Sequence, residues 1–263
     1  MKIDHKESFE DFGNQFNKDK NVDGYWGSIK MLEDIVYPFK LKDIKNKNIM
    51  EVGVGSGRIL KNLITFSPRI ATGIEPSKAI NIAKKNINSK IVELINIKGE
   101  NINYSEKYDY IFSLGVIHHI PNYEIVLKNI LRSLKKDGKF IMWVYGKEGN
   151  ELYLYIFNNL RRITLVMPDF ILRFFSHILN LFTYPYEFLC KFINLPLRKY
   201  FLEVFSKCSF EKRSYIIFDQ LNPSYSKYFS KDELNVLLKK IGFKNIQLHH
   251  RHGYSWTAIV EKI

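Results

Sequence analysis

Apolar and polar positions alternate between two rhythms over residues 48–145. Short apolar runs at 48–52, 70–74, 91–97, 110–114 and 139–144 have the length of strands. Between them, 58–66, 76–86 and 125–134 carry apolar residues at helical spacing. Strand and helix in turn predict parallel strands with helices on both faces, and right-handed crossovers leave few topologies. An earlier helix is expected over 28–39, where Ile29, Leu32, Ile35 and Val36 share a face and Pro38 ends the run.

The rhythm changes after 146. Residues 147–218 are helical in periodicity and rich in aromatics, with a strand signal only at 214–218. Ser230 and Glu233 then have capping-box spacing, the helix they open runs through Ile241, and Gly242 stops it. Two further strands, 243–248 and 254–260, flank a His-rich turn with Gly253. The expected fold is α/β: a doubly wound, mostly parallel seven-stranded Rossmann-like sheet with a closing antiparallel hairpin and a helical cap insert. Its expected parts are an N-terminal helical segment and pocket lid (1–47), the Rossmann-like core (48–146), the cap insert (147–218), and the C-terminal helix with the hairpin (219–263).

Composition adds bounds. Hydrophobic residues make up 46% of the 263, which suits a globular chain. The charged start, 1–16, has no apolar signal-peptide core, and the greasiest stretch, 163–190, is broken by Pro168, Asp169, Arg173, His177, Pro185 and Glu187. A cytoplasmic protein is expected, with Cys190 and Cys208 reduced. The net charge of +13 fits an anionic partner equally well as a Lys-rich, Asn-rich composition with no such partner.

The candidate chemistry starts at Glu51-Val-Gly53-Val-Gly55-Ser-Gly57-Arg58, between a strand and a helix. Glycines allow a sharp turn and close ligand approach, and the helix start offers free amides. A dinucleotide loop needs Gly or Ala where Arg58 stands, and no Walker lysine follows. What is left is a Gly-rich turn beside an acid, suited to a cationic sulfonium nucleoside. Glu75 ends the second strand, 20 or so residues on, where an acid grips ribose hydroxyls.

The runs EVGVGSGR, GIEPS, YDYIFSLGVIHHI and LKKDGKFIMWVYG, in that order, resemble the motif series of class I S-adenosylmethionine (SAM)-dependent methyltransferases. The resemblance covers 48–145 and implies a SAM-dependent methyltransferase with SAM as cofactor. By it, Gly53, Gly55 and Gly57 line the methionine and ribose, Glu51 lies near the amino group, and Glu75 with Pro76 holds the ribose side. Leu114 and Gly115 sit beside the cofactor. The adenine acid is either Glu100, followed by Asn101, or absent, with Lys98 in its place. The segments Asp219–Tyr225 and Glu148–Tyr153 resemble a bacterial branch tied to biosynthesis and surface polysaccharide.

The acceptor side is expected where strand ends, insert and hairpin converge. His118 and His119 follow the fourth strand and are candidate bases. Tyr25, Trp26, Asn222, Tyr225, Arg251, His252 and Tyr254 are the candidate substrate-binding set. Alternation puts His250 and His252 on one face and His249 and Arg251 on the other, too few ligands for a metal, so none is expected. These readings favour O-methylation of a small sugar-like, phosphorylated or otherwise anionic metabolite, with no nucleic acid expected. N-methylation, a lipid-linked acceptor, and a non-catalytic scaffold or RNA binder are the rivals. The helix at 169–182 has a wide apolar face, expected to pack within the insert or in a homodimer, with membrane-surface contact as the disfavoured alternative.

Overall fold

The structure, a computed structural model, describes residues 24–164, 167–221 and 225–263. Seven strands form one sheet in the order β3-β2-β1-β4-β5-β7-β6. Strands β1 (Asn48–Val52), β2 (Ile70–Ile74), β3 (Val92–Ile95), β4 (Tyr108–Leu114) and β5 (Leu134–Tyr145) are parallel, and the antiparallel pair β6 (Lys244–Arg251) and β7 (Ser255–Glu261) closes the sheet against β5. All of β1 is buried, as a central strand covered on both faces must be.

One face is covered by α1 (Ile29–Val36), α2 (Arg58–Leu63) and α3 (Ile80–Asn86), whose Leu32, Leu60 and Ala83 join one core. The other is covered by α4 (Tyr123–Ser133) and α9 (Lys231–Ile241), through Val126, Leu127, Leu234 and Leu238. Ser28 caps α1 by accepting from the Met31 amide, and Ser230 with Glu233 forms the expected capping box, with Gly242 left-handed at its end. Between β5 and α9 lie α5 (Glu151–Thr164), α6 (Asp169–Phe192), α7 (Arg198–Glu203) and α8 (Phe210–Leu221). The chain returns to the sheet where it left it. The Phe229 amide donates to the Tyr145 carbonyl (3.0 Å), and the Lys147 amide donates to the Phe229 carbonyl (2.9 Å).

Two local expectations are corrected. Residues 214–218 lie inside α8, because Ile216 and Phe218 are buried by helical packing, which overrides the strand bias of β-branched residues. The His-rich stretch is mostly strand: β6 runs through Arg251, and the turn is only 252–254.

Candidate active site

The carboxyl ends of β1, β2, β4 and β5 open on a cavity of about 290 Å³. Its floor is the Gly-rich turn. Gly53 (φ 84°) and Gly55 (φ 53°) are left-handed, and a Cβ on Gly53 would stand 2.5 Å from Val116, so both sterics and φ demand glycine there. The Gly53 and Val54 amides donate to the Ile74 carbonyl (2.7 and 3.0 Å), tying the turn to β2. Glu75 fixes the turn from the other side: one carboxylate oxygen accepts from the Gly55 amide (2.9 Å), the other from the Ser77 amide (3.0 Å). Each oxygen keeps a second lone pair for a hydroxyl from the cavity.

Glu51, Gly53, Gly55, Glu75, Pro76, Glu100, Leu114 and Gly115 all line this cavity, as does Lys98. Gly57 does not line it. It caps α2 in left-handed conformation and lets α2 meet α3, since a Cβ there would stand 3.1 Å from Ala83. Asn101 is exposed outside the cavity, at the end of the short 3-10 turn Gly99–Asn101.

Glu51 tests whether a sulfonium amino acid fits. Its side chain is buried, and its Oε2 has no hydrogen-bond partner. Burial, with the Glu75 carboxylate beside it, pushes its carboxyl up to about 8 against the opposing pull of Arg58. A buried carboxyl with an unanswered oxygen at a cavity wall is matched by a cationic ligand, and SAM carries an ammonium and a sulfonium. SAM therefore fits these residues.

The upper half of the cavity comes from four separate segments. Trp26 enters ahead of α1, and its carbonyl accepts from the Arg58 guanidinium. Trp143 and Tyr145 end β5, Tyr200 stands on α7, and Tyr254 on the hairpin turn. From α8, Lys212, Tyr215, Ile216 and Asp219 line it along a single stripe. The Lys212 ammonium lies 4.3 Å from the Tyr215 ring and 5.0 Å from the Trp26 ring. Tyr254 and Tyr200 meet edge to face at 4.6 Å, and burial raises both phenols above their usual range. Gln220 donates to the Tyr145 hydroxyl (3.0 Å) and accepts from those of Tyr153 and Tyr228.

His119 lines the cavity, with Nδ1 3.0 Å from the Tyr225 carbonyl. A carbonyl only accepts, so the neutral ring carries its proton on Nδ1 and leaves Nε2 basic. His118 lies fully buried behind it, its ring 4.0 Å from that of Tyr145, and does not reach the cavity. Its candidacy as a base is thereby corrected, since a base must reach the proton it takes.

The acceptor set divides. Trp26 and Tyr254 are in the cavity wall. Tyr225 contributes a carbonyl that orients His119, and Tyr25 lies outside the cavity with the Lys207 ammonium over its ring. Asn222 lies outside the described residues. Arg251 is 1% exposed, and its Nε donates to Asp34 (2.9 Å) while it also donates to the Tyr254 hydroxyl. His252 Nε2 is 3.0 Å from Asp34. Alternation does hold for His249 and His250, which face Tyr37 and Trp256 respectively. It fails at His252, where a positive φ of 48° swings the ring round to Asp34. Arg251 and His252 thus tie the hairpin to α1 instead of facing a substrate. Among the described residues no group of three or more His, Cys, Asp or Glu could hold a metal.

Sequence reasoning missed Tyr200, Lys212 and Tyr215. Spacing did carry a signal for α8, since 212, 215, 216 and 219 fall at i, i+3, i+4 and i+7. Nothing in the chain marks that stripe as facing the cavity.

The sequence model of the family described as "methyltransferase domain" matches residues 29–248. The chain belongs to the class I SAM-dependent methyltransferases. A relative, the tRNA U34 carboxymethyltransferase of Nautilia profundicola, is 30% identical over 113 residues, covering 41% of this chain and 38% of the relative. The chain thus aligns with less than half the length of this curated relative, and the same name recurs among others. Two solved structures share the fold. One is the complex of the Haloferax volcanii Trm112 methyltransferase activator with a methyltransferase (TM-score 0.59, 10% identity, 97% and 96% of the two chains covered). The other is human N-acetylserotonin methyltransferase bound to SAM (TM-score 0.54, 12% identity, 98% and 56% covered). SAM is the cofactor of this methyltransferase. The expectations of a small-molecule acceptor and of no nucleic-acid contact are overturned, because the relatives are named for a position in tRNA. No helix among the described residues is long and apolar enough to cross a membrane.

Proposed function

We propose that this methyltransferase acts on RNA, transferring a methyl group to a tRNA uridine. The observation that carries the reading is the upper half of the cavity. Six aromatic side chains, Trp26, Trp143, Tyr145, Tyr200, Tyr215 and Tyr254, wall it. Such a wall suits a flat base lifted out of its stack, and Lys212 against two of the rings suits the charge of the chain that carries the base. The net charge of +13 supports a polyanionic substrate, as do the relatives named for tRNA U34. Action on tRNA also supports a cytoplasmic location.

SAM, when bound, supplies an electrophilic carbon on a sulfonium. In this reading Glu51 answers the ligand's positive charge, Glu75 accepts from the ribose hydroxyls, and the wall of Val116, Leu114 and Gly115 keeps water from the reacting side. His119 takes the proton of the uridine oxygen or nitrogen through Nε2, while the Tyr225 carbonyl holds its ring in that tautomer. The rings align the base with the carbon to be transferred, which is where most of the rate gain of a positioned pair arises.

The test is to incubate protein and SAM with tRNA lacking the modification and to analyse the digested nucleosides by mass spectrometry. An added methyl on uridine is expected. Retention of SAM binding with no RNA product, and no RNA binding in a filter assay at low salt, would end the RNA reading.

A further inference from the structure

Helix α6 buries Leu172 and Cys190 but leaves most of its aromatic side chains outward. Its inward face carries Ser176, Asn180, Thr183 and Glu187: Asn180 donates to Ser214 of α8 (2.9 Å), and Glu187 pairs with Arg213 of α8 (2.8 Å). Those buried polar bonds fix the helix in rotation, since breaking them strands buried groups. Its outward face is aromatic. Phe170 is 72% exposed, Phe174 63%, Leu181 59%, Phe188 58% and Phe192 73%. Helices normally bury that face, and contiguous exposed apolar surface on this scale marks an interaction site.

The spacing along that face says what covers it. Phe170 and Phe192 stand equally far on either side of Leu181, and so do Phe174 and Phe188. A two-fold axis through Leu181, perpendicular to the helix, would set Phe170 against Phe192 of a second copy, Phe174 against Phe188, and Leu181 against itself. An isologous interface has this self-complementary pattern. The exposed charges of α6 agree. Asp169 stands at the first turn and Lys191 at the last, on one flank of the apolar face. In an antiparallel pair, like flanks meet, so the acid of each copy falls beside the base of the other. The helix dipoles also oppose head to tail.

We propose that α6 is a homodimer interface, packed antiparallel on α6 of a second copy with Leu181 on the axis. The seam is about 36 Å long, from 24 residues at about 1.5 Å each. Two copies of net charge +13 repel, so added salt strengthens the pairing. An anionic membrane on the same face would bind more weakly as salt rises, so salt separates the two occupants.

The experiment uses the full chain in sedimentation equilibrium at low and high salt. Twice the monomer mass is expected, with the dissociation constant falling as salt rises. Phe174→Glu with Phe188→Glu should raise that constant more than about tenfold, with the helical circular-dichroism spectrum of the folded chain kept because both side chains are outside the core. Leu181→Cys should give a covalent dimer on mild oxidation. The two natural cysteines are buried and do not compete. Phe170→Cys and Phe192→Cys should cross-link only when the two variants are mixed. Asp169→Lys should weaken the dimer, and adding Lys191→Asp should restore it. A monomer at all concentrations, a dimer indifferent to the Phe174/Phe188 changes, cross-linking of the Phe170→Cys variant with itself, or monomers that float with phosphatidylserine vesicles through this face would each overturn the proposal. None of these readouts depends on what the enzyme methylates.

Discussion

The two halves of the cavity are built in opposite ways. The lower half is backbone and acid: the turn after β1, the end of β2, and two carboxylates, all within one βαβ unit. The upper half is side chains from the segment before α1, the end of β5, two insert helices and the hairpin turn, which are far apart in sequence. The first kind of site is constrained at each atom by the sheet. The second rests on packing between elements, so its residues can change without disturbing the sheet. In the proposed reading, cofactor chemistry belongs in the first, and choice of acceptor in the second.

The sharpest way to break this contrast is Gly53→Val. The new side chain meets Val116 and a left-handed φ, so SAM binding in calorimetry should vanish. Retained binding would show that the turn does not hold the cofactor. Next is His119→Ala, expected to cut turnover by about 10²- to 10⁴-fold with SAM affinity unchanged. Equal loss of both would make His119 a structural residue. Removing the acid beneath Arg251 is comparable in size. Asp34→Ala leaves the buried guanidinium with the Tyr254 hydroxyl but without its counter-charge and should cost about 3–5 kcal/mol in denaturant unfolding. Burial raises the Asp34 carboxyl, but the bonds and charge of His252 and Arg251 outweigh it and hold the group down at about 2. A lowered carboxyl stabilises above its unfolded range, so this contribution is present above about pH 4 and fades as pH falls toward 2.

A finer probe is the pH dependence of SAM binding. The carboxyl of Glu51, raised to about 8, is neutral at pH 7 when the cavity is empty. A cation favours its charged form, so binding releases a proton and strengthens nearly tenfold per pH unit up to about 8. Glu51→Gln should flatten that slope, and calorimetry in buffers of different ionisation enthalpy reads the proton directly. The smallest expected effect is in the upper half. Trp26→Ala should weaken RNA binding by about 1–3 kcal/mol while leaving SAM affinity intact. A matching loss of SAM affinity would mean the halves are not independent.

The same contrast explains what could be read from the chain. The turn at Gly53–Gly57 is local, so its residue types announce its shape, and Glu75 follows at the distance a strand and helix impose. Even there, Gly57 serves the contact with Ala83, because a glycine needed for close helix packing looks the same in sequence as one needed for a ligand. The histidine pair was visible, but which ring faces the cavity depends on the segment at 225–229 that returns beside it. There the Lys227 amide donates to the His118 carbonyl (2.8 Å), and the Tyr225 carbonyl faces His119. Arg251 and His252 looked like an anion contact because their partner, Asp34, is separated from them by nearly the whole chain. Lys212 and Tyr215 could be grouped by spacing but not aimed, since aim is set by α8 packing on α5 and α6.

Tyr145, Lys147 and Phe229 share two backbone hydrogen bonds, and this small stitch has a wide consequence. Among the described residues, 148–228 leave and rejoin the sheet beside this point and add no strand to it. The segment is seated there and again where Tyr200 meets Tyr254, where the Lys227 amide reaches the His118 carbonyl and where the Tyr225 carbonyl faces His119, so another length of chain could replace its helices only by keeping those seats.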